Sequence, residues 1–389
     1  MRILMVHTCY RQSGGEDRVF AAEVELLRAY GHTVQPLLWH NRELERLSPG
    51  QQLRTMLWNE AACRRMREAI RSFGPDVVHV HNTFPLASPA IVRTARELGV
   101  PVVMTLHNYR LLCVNALFYR EGRVCTDCAG RLPWRGALWG CYRNRPASLA
   151  VAAMLALHRR LRTWDYVDRF IVLTEFARRQ FIGAGFPAER LVVKPNFVYP
   201  DPGPGEGKGG YMLFVGRLSP EKGVGTLLKA WQRLGGRIPL RIVGDGPLAP
   251  RVREACARQS NLHWLGYKTH DEVQALMGEA VALVFPSEWY EGFPMVLVEA
   301  LARGTPVIVS ALGAQASLIT HGVEGLHFRA GDPDALAEQV SWLWSHPREQ
   351  LRMRSHARNT YERHYTAAEN YNRLMAIYEQ VVSNAVACA

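Results

Sequence analysis

Residues 281–304 read Val-Ala-Leu-Val-Phe-Pro-Ser-Glu-Trp-Tyr-Glu-Gly-Phe-Pro-Met-Val-Leu-Val-Glu-Ala-Leu-Ala-Arg-Gly. The first five residues are apolar and end at Pro286, which predicts a strand, whereas the stretch that ends at Gly304 predicts a helix. Glu291 therefore lies in the loop after a strand, and Glu299 lies on the first turns of the next helix. A strand followed by a helix in this way is the repeating unit of parallel α/β folds.

The same alternation runs through most of the chain. Predicted strands cover residues 3–7, 33–38, 77–80, 102–106, 170–173, 191–194, 212–215, 240–243, 262–265, 282–285, 307–309 and 325–328. Predicted helices include residues 16–30, 87–98 and 175–183. This pattern predicts two Rossmann-like domains, with ligands bound in a cleft at the carboxyl ends of their sheets.

The domain boundaries follow from a stretch rich in Pro and Gly between residues 198 and 211, which is typical of a linker. We expect one domain at residues 1–200 and a second at residues 201–366. The helical pattern within the final segment, residues 367–389, predicts a helix that packs back on the first domain.

Composition narrows the class of protein. The 389 residues are 48% hydrophobic and 21% charged, which indicates a folded globular protein and not a disordered one. Apolar runs stay below the ~18 residues that a membrane-spanning helix needs. Residues 1–7 read as a strand and not as a secretory signal, so we expect a cytoplasmic protein.

The two acids of the opening segment suit a sugar nucleotide. One carboxylate can accept hydrogen bonds from sugar hydroxyls and the other from ribose hydroxyls, while the N–H groups at the helix start complement anionic parts of the ligand. The alternative is that both acids are solvated charges on a helix face.

Two loops of the second half have residues that suit phosphate. Gly216-Arg217-Leu-Ser-Pro-Glu-Lys222-Gly223 follows a predicted strand and provides a bidentate guanidinium and an ammonium. Gly244-Asp245-Gly246 follows the next predicted strand, and its glycines let a ligand approach the backbone. Each signal alone is also compatible with an ordinary solvated loop.

In the first half, Ser13-Gly14-Gly15-Glu16 opens the first helix and either offers N–H groups to a phosphate or an acceptor, or is a plain helix start. His107 ends the fourth predicted strand and is either functional or structural. His79, His81 and Asn82 are weaker candidates of the same kind.

These motifs, in this chain, closely resemble those of the retaining glycosyltransferases of family 4, which have the GT-B fold of two Rossmann-like domains. They are the Gly-Gly loop, Thr-Leu-His-Asn at 105–108, Gly-Arg-Leu-Ser-x-Glu-Lys-Gly, Val-Gly-Asp-Gly-Pro, and Glu-x7-Glu with Gly-Phe-Pro. The resemblance covers nearly the whole chain. It implies transfer of a sugar, with retained anomeric configuration, from a UDP- or GDP-type donor to an acceptor hydroxyl in cell-surface polysaccharide or glycolipid synthesis.

The resemblance also implies roles for single residues. Arg217 and Lys222 would hold the diphosphate, Glu299 the ribose, and Glu291 the sugar hydroxyls, while His107 would contact the donor sugar. The implied catalytic residues are His107, Glu291, Arg217 and Lys222. The implied donor-binding residues are Gly15, Gly216, Arg217, Lys222, Gly244, Asp245, Glu291, Gly292, Phe293, Pro294, Met295 and Glu299. Catalysis would require no metal cofactor, and the acceptor would be a glycan or a lipid-linked molecule.

Cys113, Cys125, Cys128 and Cys141 fall within 29 residues, inside a segment at about 110–145 that we expect to be an insertion in the first domain. Four thiolates suit a structural zinc ion, although only one pair has the C-x2-C spacing. The alternative is four ordinary reduced thiols, which we also expect for Cys9, Cys63, Cys256 and Cys388.

The net charge of +12 lies in the first half, where residues 1–200 have 28 Lys+Arg against 16 Asp+Glu, while residues 201–389 have 19 of each. Arginines alternate with Trp and Leu at residues 53–73 and 131–164. Such faces either bind an anionic membrane or are packed helices with a solvated side. The first reading predicts peripheral contact with the inner face of the membrane.

Two other functions are compatible with parts of the sequence. A sugar-nucleotide epimerase would use the same fold and would convert its donor without an acceptor. A nucleic-acid-binding protein would explain the basic half, but it leaves the second half without a role, and we expect no nucleic acid.

Overall fold

The computed structural model describes residues 1–11 and 14–387, so Ser13 and Cys388 lie outside the described residues. The chain divides into two compact units. Unit 1 comprises Met1–Leu117, Thr126–Asn196 and the chain from Asn370 onward. Unit 2 comprises Phe118–Cys125 and Phe197–Glu369.

The secondary structure alternates between strands and helices. In chain order, the strands are β1 (Arg2–Cys9), β2 (Thr33–His40), β3 (Val77–Val80), β4 (Val102–Leu106), β5 (Tyr119–Arg120), β6 (Arg123–Val124), β7 (Arg169–Val172), β8 (Leu191–Val193), β9 (Met212–Val215), β10 (Leu240–Val243), β11 (Leu262–Trp264), β12 (Ala282–Phe285), β13 (Val307–Ser310) and β14 (Gly325–Phe328). The helices are α1 (Gly15–Ala29), α2 (Pro49–Leu57), α3 (Glu60–Phe73), α4 (Ala90–Glu97), α5 (Trp134–Leu138), α6 (Arg145–Arg160), α7 (Glu175–Gly183), α8 (Val224–Leu234), α9 (Ala249–Arg258), α10 (His270–Glu279), α11 (Met295–Ala302), α12 (Gly313–Leu318), α13 (Pro333–Ser345), α14 (Pro347–His364) and α15 (Ala367–Ala387). None of these helices is long and apolar enough to cross a bilayer.

Unit 1 is built on a parallel sheet of six strands in the order β2-β1-β3-β4-β7-β8. Its strands are buried on both faces, as expected for a parallel sheet covered by helices. Part of this cover is α15, because Leu374 and Tyr378 are buried in the same cluster as Ile3 and Met5 of β1. Strand order reverses between β1 and β3, which places the loops after these strands at the edge where such folds bind ligands.

Unit 2 has a second parallel sheet of six strands, in the order β11-β10-β9-β12-β13-β14. Here the strand order reverses between β9 and β12, which are direct neighbours. The loops after these two strands therefore meet at one point of the carboxyl edge. Glu291 follows β12, and Arg217 and Lys222 follow β9.

The predicted fold class of two Rossmann-like domains is confirmed. All twelve predicted strands are present, with ends within two residues of the predicted ones. These strands could be predicted because parallel strands with helices on both faces of the sheet are continuous apolar runs. The hairpin of β5 and β6 was not predicted, and its residues Phe118–Cys125 belong to unit 2, although the sequence on both sides of it belongs to unit 1.

The glycine-rich segment 201–210 differs from a free linker, because it lies against unit 2. The Gly205 N–H donates to the Arg303 carbonyl oxygen (2.9 Å), and the Gly207 and Gly209 N–H groups donate to the carbonyl oxygens of Gly278 and Glu279 (2.9 Å each). A Cβ on Gly205 would overlap the backbone of Gly278. The glycines are thus needed for close approach, whereas the sequence analysis took them as a sign of a linker.

Replacement of Gly205 by Ala should therefore destabilise unit 2. Overpacking of a close contact costs roughly 1–3 kcal/mol, and chemical denaturation followed by circular dichroism would measure the change in the free energy of unfolding. Gly225→Ala is the matched control, because Gly225 lies in α8 and a Cβ there would meet only the end of Arg251, at 3.9 Å. Equal stability of the two variants would contradict the close packing of segment 201–210.

Candidate functional site

Lys222 and Glu291 form an ion pair at the point where the strand order of unit 2 reverses. The Lys222 Nζ atom lies 2.7 Å from Glu291 Oε1. The same oxygen accepts hydrogen bonds from Ser287 Oγ (2.6 Å) and Trp289 Nε1 (2.8 Å). Glu291 is buried, with 5% of its surface exposed. A buried carboxylate with three donors holds Lys222 in a fixed place.

The two loops that contain this pair are locked together through their backbones. Gly223 has a φ of +70°, and a Cβ there would overlap the carbonyl oxygen of Pro286. The Glu288 N–H donates to the Glu221 carbonyl oxygen (2.8 Å), and Thr226 Oγ1 donates to Glu288 Oε1 (2.6 Å). Lys222 is thus positioned by its own loop as well as by Glu291.

Arg217 differs from Lys222, because it is exposed and its guanidinium makes no hydrogen bond or ion pair with the residues that the structure describes. It follows Gly216, which lies against the turn after β10: a Cβ on Gly244 would overlap the Gly216 carbonyl oxygen. The Leu218 N–H donates to the Asp245 carbonyl oxygen (2.9 Å). The two predicted phosphate loops are therefore packed side by side, and the Arg217 guanidinium lies exposed at their surface.

The segment Gly292-Phe293-Pro294-Met295 leads into α11, whose first N–H groups have no partner within the helix. Glu299 lies on this helix and is 7% exposed. The reading of Glu291 and Glu299 as solvated surface charges is therefore wrong. The role of Glu299 toward a ribose stays a prediction, as do the roles of the other predicted donor residues.

In unit 1, His107 follows β4 and stands at the end of a chain of buried polar groups. Its Nε2 atom lies 3.0 Å from Nδ1 of His81. His81 Nε2 lies 3.2 Å from Glu23 Oε2, and Glu23 Oε1 accepts from Lys194 Nζ at 2.5 Å. If His81 directs its Nε2 proton to Glu23, its Nδ1 accepts from His107, which leaves His107 Nδ1 as an acceptor.

The electrostatics of this chain follow from burial. Burial lowers the pKa of His107 well below its usual value, so its imidazole is neutral at pH 7. Burial by itself would raise the pKa of Glu23, but the Lys194 ammonium and His81 oppose it, and the pKa lies well below the ordinary value. Glu23 and Lys194 were missed by the sequence analysis. The sequence signal for each was a charged residue among apolar ones: Glu23 on α1 and Lys194 after β8.

His79 has a structural environment. Its ring nitrogens lie 2.6 Å from the Tyr378 hydroxyl and 2.8 Å from Thr105 Oγ1, and the side chain has no exposed surface. His79 thus connects α15 to the sheet.

Gly15 begins α1 and is exposed, with open space where a Cβ would be. The preceding N–H, that of Gly14, already donates to Asp17 Oδ2 (2.8 Å), so it is not available to a ligand without rearrangement. Next to them, Glu16 accepts from the Tyr10 hydroxyl (2.8 Å). Although part of its surface is exposed, burial raises the pKa of Glu16 to about 8, so the carboxyl is protonated at pH 7. The sequence analysis did not identify Glu16 as a candidate.

Of the cysteines of the predicted zinc site, Cys113 and Cys128 are buried and Cys125 and Cys141 are half-buried. Within the described residues, two groups have three potential metal ligands within 4.8 Å of one another: His7 with Cys9 and Asp17, and Glu23 with His79 and His81. Neither includes the four cysteines. Their zinc site stays a prediction.

Comparison with known proteins identifies the family. Residues 5–196 match the glycosyl transferase 4-like domain, and residues 202–360 match the model for glycosyl transferases group 1. A GDP-mannose-dependent alpha-mannosyltransferase of Mycobacterium tuberculosis is 30% identical over 71% of this chain and 67% of its own length. The chain therefore belongs to the group 1 glycosyltransferases and is a glycosyltransferase.

One further relative and one solved structure are similar to this chain. The D-rhamnosyltransferase WbpZ of Pseudomonas aeruginosa is 35% identical over 40% of this chain, and the match spans less than half of that protein (42%). The crystal structure of Anabaena Alr3699/HepE in complex with UDP has a TM-score of 0.70 at 16% identity, over 98% of this chain and 100% of that one. This likeness confirms the GT-B fold. The epimerase and nucleic-acid readings have no support among these relatives.

The buried histidines of unit 1 predict loss of stability in acid. Burial lowers the pKa values of His79 and His81 from the usual 6.5, so both stay neutral in the folded protein and bind protons on unfolding. The unfolded state then binds more protons as the pH falls through 6.5, and stability decreases with a slope that approaches about 1.4 kcal/mol per pH unit for each histidine below that pH. Urea denaturation between pH 7.5 and 5.5 would measure the slope.

In the same series, His79→Gln should remove about one proton from the uptake on unfolding and make the slope shallower. An identical slope in the variant would show that His79 is protonated in the folded state.

Proposed function

We propose that the protein transfers a sugar from a nucleotide diphosphate donor of UDP or GDP type to an acceptor hydroxyl, with retention of the anomeric configuration. The observation that carries the proposal is the Lys222 ammonium, which buried Glu291 holds at the strand-order reversal of unit 2, in the same loop as the exposed Arg217. Support for the donor class comes from Anabaena HepE, which binds UDP, and from the GDP-mannose-dependent relative.

The charges suit a diphosphate leaving group. When the bond between the anomeric carbon and the phosphate oxygen breaks, negative charge develops on the diphosphate, and fixed cations lower the energy of that state. Lys222 is already in place and needs little reorganisation, because Glu291 and the backbone hold it. Arg217 is free to turn onto the phosphates and bind them bidentately.

The proposed step is front-face attack. The acceptor oxygen forms the new bond to the anomeric carbon on the side from which the diphosphate departs, and its proton passes to the departing phosphate oxygen. This preserves the configuration without a covalent enzyme intermediate. A glycosyl-enzyme adduct trapped from donor alone and detected by mass spectrometry would contradict this route.

The neutral imidazole of His107 fits a role beside a sugar, because it accepts or donates hydrogen bonds without adding a charge. We propose that it contacts the donor sugar, and that the protonated carboxyl of Glu16, beside Gly15, contacts the acceptor. We also propose that Glu291, with Oε1 bonded to Lys222, Ser287 and Trp289, positions the ammonium, and its role toward the sugar hydroxyls stays a prediction.

Removal of either cation should abolish most of the activity. We expect Lys222→Met and Arg217→Met each to lower kcat/KM by roughly 100- to 1,000-fold, since each removes charge stabilisation from the leaving group. Lys229→Met, at an exposed position of α8, is the matched control and should keep wild-type activity. Initial rates of sugar transfer would provide the measurement.

A double variant separates catalysis from folding. Lys222→Met alone leaves Glu291 buried without its cation, which costs about 3–5 kcal/mol of stability. Lys222→Met with Glu291→Gln should recover most of that stability and none of the activity. Recovery of activity in the double variant would show that Lys222 has no direct part in the reaction.

The donor and stereochemistry can be tested together. A panel of UDP-, GDP- and ADP-sugars scored by thermal shift should show one nucleotide that stabilises the protein, and that stabilisation should be lost in Lys222→Met. Proton NMR of the early product should show the anomeric configuration of the donor. An inverted product would exclude the retaining mechanism.

We also propose that unit 1 contacts an anionic membrane, where a lipid-linked acceptor would be found. Six of the thirteen exposed large hydrophobic residues described in the structure come from one stretch of 30 residues around α5 and α6: Leu132, Trp134, Leu138, Trp139, Leu149 and Leu161. Arginines flank them, including Arg131, Arg135 and Arg160. Exposed Trp and Leu beside arginines are typical of surfaces that insert into anionic lipid headgroups.

Flotation with phosphatidylglycerol vesicles would test the membrane contact. Leu138 is 70% exposed, and we expect Leu138→Glu to reduce the vesicle-bound fraction several-fold, because it adds a negative charge to the apolar surface. Leu351→Glu is the matched control, since Leu351 is 66% exposed on α14 of unit 2. Equal binding by the two variants would place the contact elsewhere.

A further inference from the structure

Unit 1 has a cavity whose lining includes Leu111 and Leu112, from the same loop after β4 that contains His107. It contains about 840 Å³ of space, part of it open to solvent. Much of its lining comes from segments that precede β7 and β8, namely residues 162–165 and 184–190.

One part of the wall is basic. Four arginines line it, Arg131, Arg159, Arg162 and Arg190, against a single acid, Asp165. Asp165 Oδ2 accepts from Arg162 Nε (2.6 Å), and the Asp165 carbonyl oxygen accepts from Arg190 (2.9 Å). Arg159 donates to the carbonyl oxygens of Arg131 and Gly130 (3.0 and 3.3 Å).

Arg131 remains available, because its side chain is exposed and makes no hydrogen bond or ion pair with any residue of the described chain. The wall has a surplus of three positive charges at neutral pH, and guanidinium groups favour phosphate. The basic side of the cavity therefore fits a phosphate group.

The rest of the wall is apolar and mostly aliphatic. Leu112, Leu155 and Phe170 form its buried floor, and half-buried Trp164 lies beside them. Leu132 and Leu161, which adjoin Arg131 and Arg162 in sequence, are 55% and 37% exposed. A ligand with an apolar chain could thus continue from the cavity onto the exposed apolar residues around it.

We infer that this cavity binds one anionic phospholipid molecule, with its phosphate on the arginines and the start of its acyl chain along the apolar floor. Aliphatic lining and exposed leucines favour a lipid over a nucleotide, which would need polar groups for its base and ribose. The inference deepens the proposed membrane contact and is independent of the sugar-donor site. It would make membrane attachment depend on a specific lipid phosphate and not on net charge alone.

Short-chain lipids test the cavity without a membrane. Dihexanoyl phosphatidic acid, below its micelle concentration, should bind with one-to-one stoichiometry by calorimetry and change the tryptophan fluorescence, a change that Trp164→Phe should reduce. sn-Glycerol 3-phosphate lacks the chains and dihexanoyl phosphatidylcholine lacks the net negative charge, so each should bind at least about tenfold more weakly. Arg131→Glu should weaken the binding of dihexanoyl phosphatidic acid by about tenfold.

Arg348→Glu is the matched control, because Arg348 is exposed on α14 of unit 2 and does not line the cavity, and it should bind as the wild type does. Absence of phosphatidic acid binding, equal binding of any control ligand, tighter binding of UMP, or equal loss in Arg348→Glu would each overturn the inference. Flotation and sugar transfer are separate measurements. Lipid binding without flotation would thus reject the membrane contact alone, and sugar transfer without lipid binding would reject the cavity alone.

Discussion

The proposed site depends on one constraint: the carboxylate of Glu291 is buried, and a buried charge must be paired. Glu291 is almost without solvent, and its Oε1 is surrounded by Lys222, Ser287 and Trp289. Removal of any of these donors leaves a charge that water no longer compensates. The loop after β12 and the loop after β9 are therefore held together, and the ammonium is fixed before any ligand arrives. Preorganised charge of this kind is what departure of a diphosphate requires.

Unit 1 uses a similar arrangement for a different purpose. Glu23 is buried between Lys194 and His81, and His81 in turn contacts His107. A carboxylate behind two imidazoles sets the positions of their protons and keeps His107 oriented while it stays neutral. In both units, a buried acid contacts and positions a group for which we propose a role toward the substrate. Each of these acids lies inside the protein, where an unpaired charge would be costly, and each is therefore paired.

The sequence predicted the fold closely because doubly covered parallel strands are short continuous apolar runs, such as Val77–Val80 and Ala282–Phe285. The sequence-based prediction failed where the role of a residue depends on its tertiary contacts. The glycines of segment 201–210 indicated a linker, yet the backbone hydrogen bonds to Arg303, Gly278 and Glu279 show that they allow close packing. Likewise, Phe118–Cys125 belongs to unit 2 because of contacts that no local pattern contains.

The candidate site shows the same limit. By itself, the sequence determined which chemical groups follow which strands: Arg217 and Lys222 after β9, Glu291 after β12, and His107 after β4. Only the tertiary structure decided that Glu291 bonds to Lys222, that Glu23 and Lys194 stand behind His107, and that four arginines share a cavity with an apolar floor. The reason is physical. Strand and helix propensities act over a few residues along the chain, whereas pairing of buried charges depends on distances of about 3 Å between residues far apart in sequence.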